Sequence, residues 1–185
     1  AAQARQVQEQ AAREQAEQAR QLEIQERARN QQIQQQAVET LRQLTENATL
    51  SYRENRYEET LLQCEEGLAK DANNLILLKL KALTYYQQGL YANAQTGFNQ
   101  RDAIEHEGSN IVWAALSRWK KDKTELALNL SLQEINTVIS LAPQKAIGYL
   151  VRGHLFLASN ELAKAEMDFI LFSEKLLIPA CGIDD

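Results

Sequence analysis

The chain has 185 residues, a formal charge of −5, and only seven Gly, two Pro and two Cys. So few breakers and so few cysteines exclude a loop-rich or disulfide-framed fold and point to an all-α chain. The acidic balance disfavours nucleic acid and anionic membranes as partners, and no run of about 18 or more uncharged apolar residues reads as a membrane span.

Residues 1–36 contain thirteen Gln, with five Glu balanced by five Arg. Glu9 precedes Arg13, and Glu23 precedes Arg27, by the four residues that let exposed helical pairs meet. The segment is therefore expected to be a solvated helical stalk or linker. Continued to Tyr52, it would reach roughly 75 Å at about 1.5 Å per residue. Ala4, Val7 and Ala11 begin an apolar seam that Glu14 and Gln18 interrupt, and Ala12, Ala16, Ala19 and Leu22 make a second short stripe. Neither is the sustained heptad of large side chains that a stable coiled coil requires. Three readings stay open: a solvated stalk, helix pairing into a homo-oligomer, and disorder.

Beyond residue 40 the chain repeats itself. Asn55-Arg56-Tyr57-Glu58-Glu59-Thr60 returns 34 residues later as Gly89-Leu90-Tyr91-Ala92-Asn93-Ala94. Reading outward gives one unit over 41–74, with Ala48, Tyr57, Leu61 and Gly67. A second covers 75–108, with Leu78, Ala82, Tyr85, Gly89, Tyr91, Ala94 and Phe98. A fourth begins near Ala146 with Tyr149, Gly153, Phe156, Asn160, Leu162, Ala165 and Phe169, after a helix boundary at Pro143. The third, roughly 110–145, is degenerate: Trp113, Leu116 and Ser117 fit loosely, and Lys120-Lys121-Asp122-Lys123 intervenes before a helix over Leu126–Leu141. A two-helix unit recurring at this interval cannot bury its apolar face alone, so neighbours must stack.

These residues resemble the tetratricopeptide repeat family over 41–179. The resemblance implies a right-handed superhelical solenoid of about four helix hairpins over 37–179, with a long N-terminal helix before it and a tail at 180–185. It also implies a groove lined by positions 2, 5, 9 and 12 of each first helix. Those positions give Thr45, Thr49 and Tyr52 in the first repeat; Ile76, Lys79, Leu83 and Tyr86 in the second; and Ile147, Leu150, His154 and Leu157 in the fourth. Chaperone-binding members hold a peptide's terminal carboxylate with Lys and Asn, but Thr45, Thr49 and Leu80 do not supply that set. The mainly apolar lining suits an extended hydrophobic peptide, an amphipathic helix or a neighbouring subunit's helix.

Other features bear less weight. Arg118, Lys120, Lys121 and Lys123 beside Trp119 are expected as a solvated basic loop, or as a grip for a phosphate or acidic peptide. His106 reads as an exposed helix end and His154 as a groove or packing residue. Cys64 is expected as a buried free thiol, with Cys181 in the tail. No spacing of His, Cys, Ser and carboxylates supports a metal, a cofactor or catalysis. The sequons at Asn47 and Asn129 fall in predicted helices. Phe172, Leu176 and Ile178 are expected to leave an apolar C-terminal end exposed, a contact for a partner or a second copy.

The chain begins at Ala1 rather than Met and is expected to be part of something longer. Its first segment resembles the stalks that follow anchors in bacterial envelope proteins, which places a periplasmic, envelope-attached domain ahead of a cytoplasmic adaptor. Function is expected to be that of a non-catalytic interaction scaffold with a protein or peptide partner. The alternatives are a structural component assembled through its N-terminal helix and a secretion-chaperone-like binder of hydrophobic segments.

Overall fold

The first 66 residues contain neither Gly nor Pro, and nothing in them stops a helix once it starts. In the computed structural model, which describes residues 2–106 and 108–177, α1 is one α-helix over Ala2–Arg53. The chain divides into two compact units, Ala1–Gln43 and Leu44–Asp185. In the first, every described side chain from Arg13 to Thr40 is exposed, including Leu22, Ile24, Ile33 and Val38. Arg27 pairs with Glu23, and Arg42 with Glu39. Hydrogen bonds from Arg42 and Gln43 hold the Glu39 carboxyl down to about 2. Both pairs lie on the solvated surface of the helix, where water and salt screen them.

The second unit is a helical solenoid of hairpins. The end of α1 is followed by α2 (Tyr57–Lys70), α3 (Leu75–Gln87), α4 (Tyr91–Glu105), α5 (Ser109–Asp122), α6 (Glu125–Leu141), α7 (Ala146–Ala158) and α8 (Leu162–Leu177). No strand occurs among the described residues. Each hairpin turns on one left-handed residue: Asn55 (φ 60°), Gly89 (φ 75°), Lys123 (φ 50°) and Asn160 (φ 62°). Each is followed by a single residue and then the second helix, so the turns recur at 34, 34 and 37 residues. Asn and Gly tolerate this conformation, whereas Lys pays for it. Asn74 and Thr124 cap α3 and α6 by accepting from the Leu77 and Ala127 amides. Helix α6 stops at Leu141, two residues before Pro143, whose carbonyl accepts from the Tyr149 hydroxyl at 3.1 Å.

The third unit is thus a complete hairpin whose turn keeps the 34-residue spacing from Gly89, and the lysine run expected to interrupt it does not. Arg118, Lys120 and Lys121 lie in α5, and only Lys123 and Thr124 make the turn. The basic loop is corrected: Lys120 and Lys121 lie in the last turn of α5, where cations are favoured by the exposed carbonyl ends, Arg118 lies before that turn, and only Lys123 stands outside the helix.

Two apolar clusters hold the stack. Ala82, Ala94, Phe98 and Ala114 form one, with Trp113 and Tyr86 against it. Val112, Ala115, Leu116, Ile135, Val138, Val151 and Leu155 form the other, joining α5, α6 and α7. Burying each large member removes about 1.5–3 kcal/mol of apolar exposure. Cys64 is fully buried and free, and that burial pushes its thiol up to about 12. Ile178, Cys181 and the tail expected at 180–185 lie outside the described residues.

Candidate interaction surfaces

The expected groove residues divide into two kinds. Ile76, Lys79, His154 and Leu157 are exposed. Thr45, Thr49, Tyr52, Leu83, Tyr86, Ile147 and Leu150 are half-buried. The Thr49 hydroxyl donates to the Thr45 carbonyl at 2.8 Å, as helical Thr does when it has no better acceptor. Tyr52 packs against Tyr57 across the first turn. Leu83 packs on the alanine-rich cluster and Ile147 on the cluster of α5 to α7. His154 stands edge-on to Phe169, with ring centroids 5.3 Å apart.

Tyr86 is the most connected member. Its ring meets Tyr91 at 5.4 Å and Trp113 at 5.6 Å, and Trp113 stacks on Phe98 at 5.9 Å. Burial raises the Tyr86 phenol above its ordinary value. Trp113 occupies the fifth position of the third first helix, equivalent to Lys79. Counting 34 residues from Lys79 would have found it, had the third unit not been set aside as degenerate.

The basic cluster does not form one patch. The Arg118 guanidinium makes two bonds to Glu134, at 2.8 and 2.9 Å, across the α5–α6 hairpin. Lys120 lies over the Trp119 ring at 5.4 Å, Lys121 sits 3.5 Å from Asp122, and Lys123 is the exposed turn residue.

A charge pattern emerges once the helices are assigned. The first helices α3, α5 and α7 carry Lys79, Lys81, Arg118, Lys120, Lys121 and Arg152 against one carboxylate, Asp122. The second helices α2, α4, α6 and α8 carry eleven carboxylates against four cations, so a chain of net negative charge concentrates its cations on the first helices. Some of these cations are spent on packing. Lys81 reaches Glu65 at 3.1 Å, and Arg152 bonds Asp168 at 2.7 and 2.8 Å and Asn136 at 2.7 Å. Asp168 keeps the Arg152 guanidinium above its ordinary value.

The C-terminal end differs from expectation in detail. Phe172 is half-buried, and among the described side chains of α8 the exposed large apolar residues are Leu162, Met167, Ile170 and Leu176. Leu157, Leu162, Glu166, Phe169, Ile170, Ser173 and Glu174 line an open groove of about 620 Å³. A second cleft of about 660 Å³ lies between α4, α5 and α6, lined by Asp102, His106, Ile111, Glu134, Val138 and Leu141 among others. Among the described residues no cluster of three or more His, Cys, Asp and Glu has the arrangement of a metal site, and no helix is long and apolar enough to cross a membrane.

No family model matches this sequence, and no curated protein matches it. Solved structures do. The MamA RS-1 ArsTM double mutant superposes with a TM-score of 0.59 at 12% identity, over 74% of this chain and 75% of that one. The second TPR domain of human RPAP3, in complex with the HSP70 peptide SGPTIEEVD, gives 0.53 at 21% identity, over 70% of this chain and 98% of that one. The first TPR of Spaghetti (RPAP3), bound to the HSP90 peptide SRMEEVD, gives 0.51 at 20% identity, over 71% and 94%. At these identities the likeness concerns the fold, which is tetratricopeptide-like.

Proposed function

We propose that this protein is a non-catalytic interaction scaffold that holds a segment of a partner protein along the first helices of its repeats. The observation that carries the reading is the charge segregation, because it sets exposed Lys79 and half-buried Lys120 among aromatic and apolar side chains. Such a surface suits an extended segment that mixes apolar and acidic residues, bound by burial together with charge pairing. Two solved structures of similar fold hold peptides that end in Glu-Glu-Val-Asp, which supports a peptide as the class of ligand. The family's terminal-carboxylate hold is not carried over, since buried Leu80 stands where Asn is required.

Selection from a random 12-residue peptide library, followed by affinity measurement on variants, tests this. Lys79→Glu and Ile76→Asp should each weaken the selected peptides at least tenfold, while Asn99→Glu on exposed α4 surface leaves them unchanged. Equal affinity in all three would sink the groove reading.

A second reading rests on a separate observation. Leu22, Ile24, Ile33 and Val38 are each more than half exposed on α1, and pairing two such helices would cover them. Light scattering on the full chain and on a version beginning at Ala37 separates the readings. An oligomer that becomes a monomer on truncation makes α1 an assembly device, whereas two monomers leave it a linker.

A further inference from the structure

Three hairpins of this chain show how a second helix receives the next first helix. Glu65 of α2, ten residues past its turn at Asn55, takes the Lys81 ammonium of α3. Phe98 of α4, nine past Gly89, stacks on Trp113 of α5. Asn136 of α6, thirteen past Lys123, accepts from Arg152 of α7. The same offsets from Asn160 in the last hairpin fall on Phe169, Ile170 and Ser173, and all three line the end groove of about 620 Å³. That groove is therefore the seat of a first helix, built by the same positions that seat α3, α5 and α7.

The seat has a definite chemistry. Its base is apolar, with Ile170 half exposed and Leu162 more so. Its charged lining residues are Glu166 and Glu174, with no cation among them. The helices that fill the equivalent seats are cationic, and two of them cross to the preceding helix through Lys81 and Arg152. A two-fold pairing of α8 with α8 of a second copy would bring Glu166 and Glu174 of both copies together, which opposes it. Residues 178–185 carry Asp184 and Asp185, no cation, and helix-opposing Pro179 and Gly182, the wrong composition for this seat.

We propose that the α7–α8 end groove captures an amphipathic helix of a partner protein, its apolar stripe on Leu157, Leu162 and Ile170 and its flanking Lys or Arg residues on Glu166 and Glu174. The mode is helix-in-groove binding, distinct from the groove of the first helices.

The test uses the full chain and two labelled 14-residue peptides with one helical apolar pattern of Leu, one carrying Lys at the polar positions and the other Glu. Anisotropy should show the Leu/Lys peptide binding at least tenfold more tightly than the Leu/Glu peptide. Ile170→Asp should weaken it at least tenfold with an unchanged melting temperature, and Leu162→Asp, at a more exposed position, serves if the first variant unfolds. General attraction to an acidic protein predicts the reverse, since each change adds negative charge. Unchanged or tighter binding in these variants overturns the proposal, as does equal binding of the two peptides. A concentration-dependent dimer abolished by Ile170→Asp overturns it in favour of a second copy, and binding that appears only after removal of residues 178–185 overturns it in favour of the chain's own tail.

Discussion

In the second hairpin, α3 and α4 cross on small side chains. Gly97 lies so close to Ala82 that a Cβ on it would stand 2.9 Å from the Ala82 Cβ, with Ala94 fully buried nearby. In the third hairpin the residue equivalent to Gly97 is Ser131, whose hydroxyl donates to the Ala115 carbonyl at 2.8 Å. Leu116 replaces Ala82, Leu128 replaces Ala94, and the Arg118–Glu134 pair ties the helices along their flank. One period is thus kept by two packings, one by close backbone approach and one by larger side chains with polar ties. Between these two hairpins the register relative to the turn, rather than the identity of the packing residues, is what is shared.

That contrast can be broken by exchanging residues between the hairpins. Ala94→Trp should overpack the tight crossing and cost about 3 kcal/mol, whereas Leu128→Trp, at a half-buried site already holding a large side chain, should cost under about 1.5 kcal/mol. Denaturant melts of the two variants decide it, and equal losses would mean that the crossings do not differ. Gly97→Ser, which imports the residue of the third hairpin, should cost about 1–2 kcal/mol because the new Cβ meets Ala82. Relief of that loss by a further Ala82→Gly would locate the collision.

The turns supply a smaller effect of opposite sign. Lys123 pays for a left-handed conformation that Gly89 adopts freely, so Lys123→Gly should stabilise by about 0.5–1 kcal/mol and Gly89→Lys should destabilise by about 1 kcal/mol. A loss of stability in Lys123→Gly would show that its side chain contributes a contact of its own.

The first hairpin places Cys64 at the position of Phe98, and at neutral pH its ionisation should have no effect on stability. Its folded value of about 12 lies above the ordinary 9.0, so the stabilisation is complete below pH 9 and is lost as pH rises from about 9 through 12. Cys64→Val should flatten the alkaline limb of the melting curve. In a Cys181→Ser background the remaining thiol should stay silent toward a disulfide reagent at pH 8 until denaturant is added. Rapid labelling of the folded protein would contradict the burial.

Much of this was legible from residue types. The matched hexapeptides around Tyr57 and Tyr91 gave the period, and Pro143 marked a helix end. Asn55, Gly89 and Asn160 are residue types that take left-handed turns readily, so three of four turns could be placed. The fourth could not, because Lys123 sits in that conformation against its preference and a run of four charged residues resembles a loop. Trp113 was placed in the third first helix but not in the groove, since its equivalence to Lys79 depends on the register of the third unit. The charge segregation also needed the helix boundaries: same-sign blocks such as Glu58 to Glu66 and Lys79 to Lys81 are visible in the sequence, but their assignment to second and first helices depends on where each helix begins and ends. The end groove is a matter of which positions have a helix over them, which composition does not carry.

Arg152 joins three helices through one planar group: Asp168 on α8, Asn136 on α6, and the ring faces of Tyr149 and Phe156 near its guanidinium. Helix α8 cannot peel from α7 without stranding this charge beside the rings, and a stranded guanidinium also loosens its hold on α6. Fraying at this end is therefore cooperative over α6, α7 and α8 rather than over the last hairpin alone. Amide exchange should report these helices opening together, with a protection that vanishes as a unit in Arg152→Met.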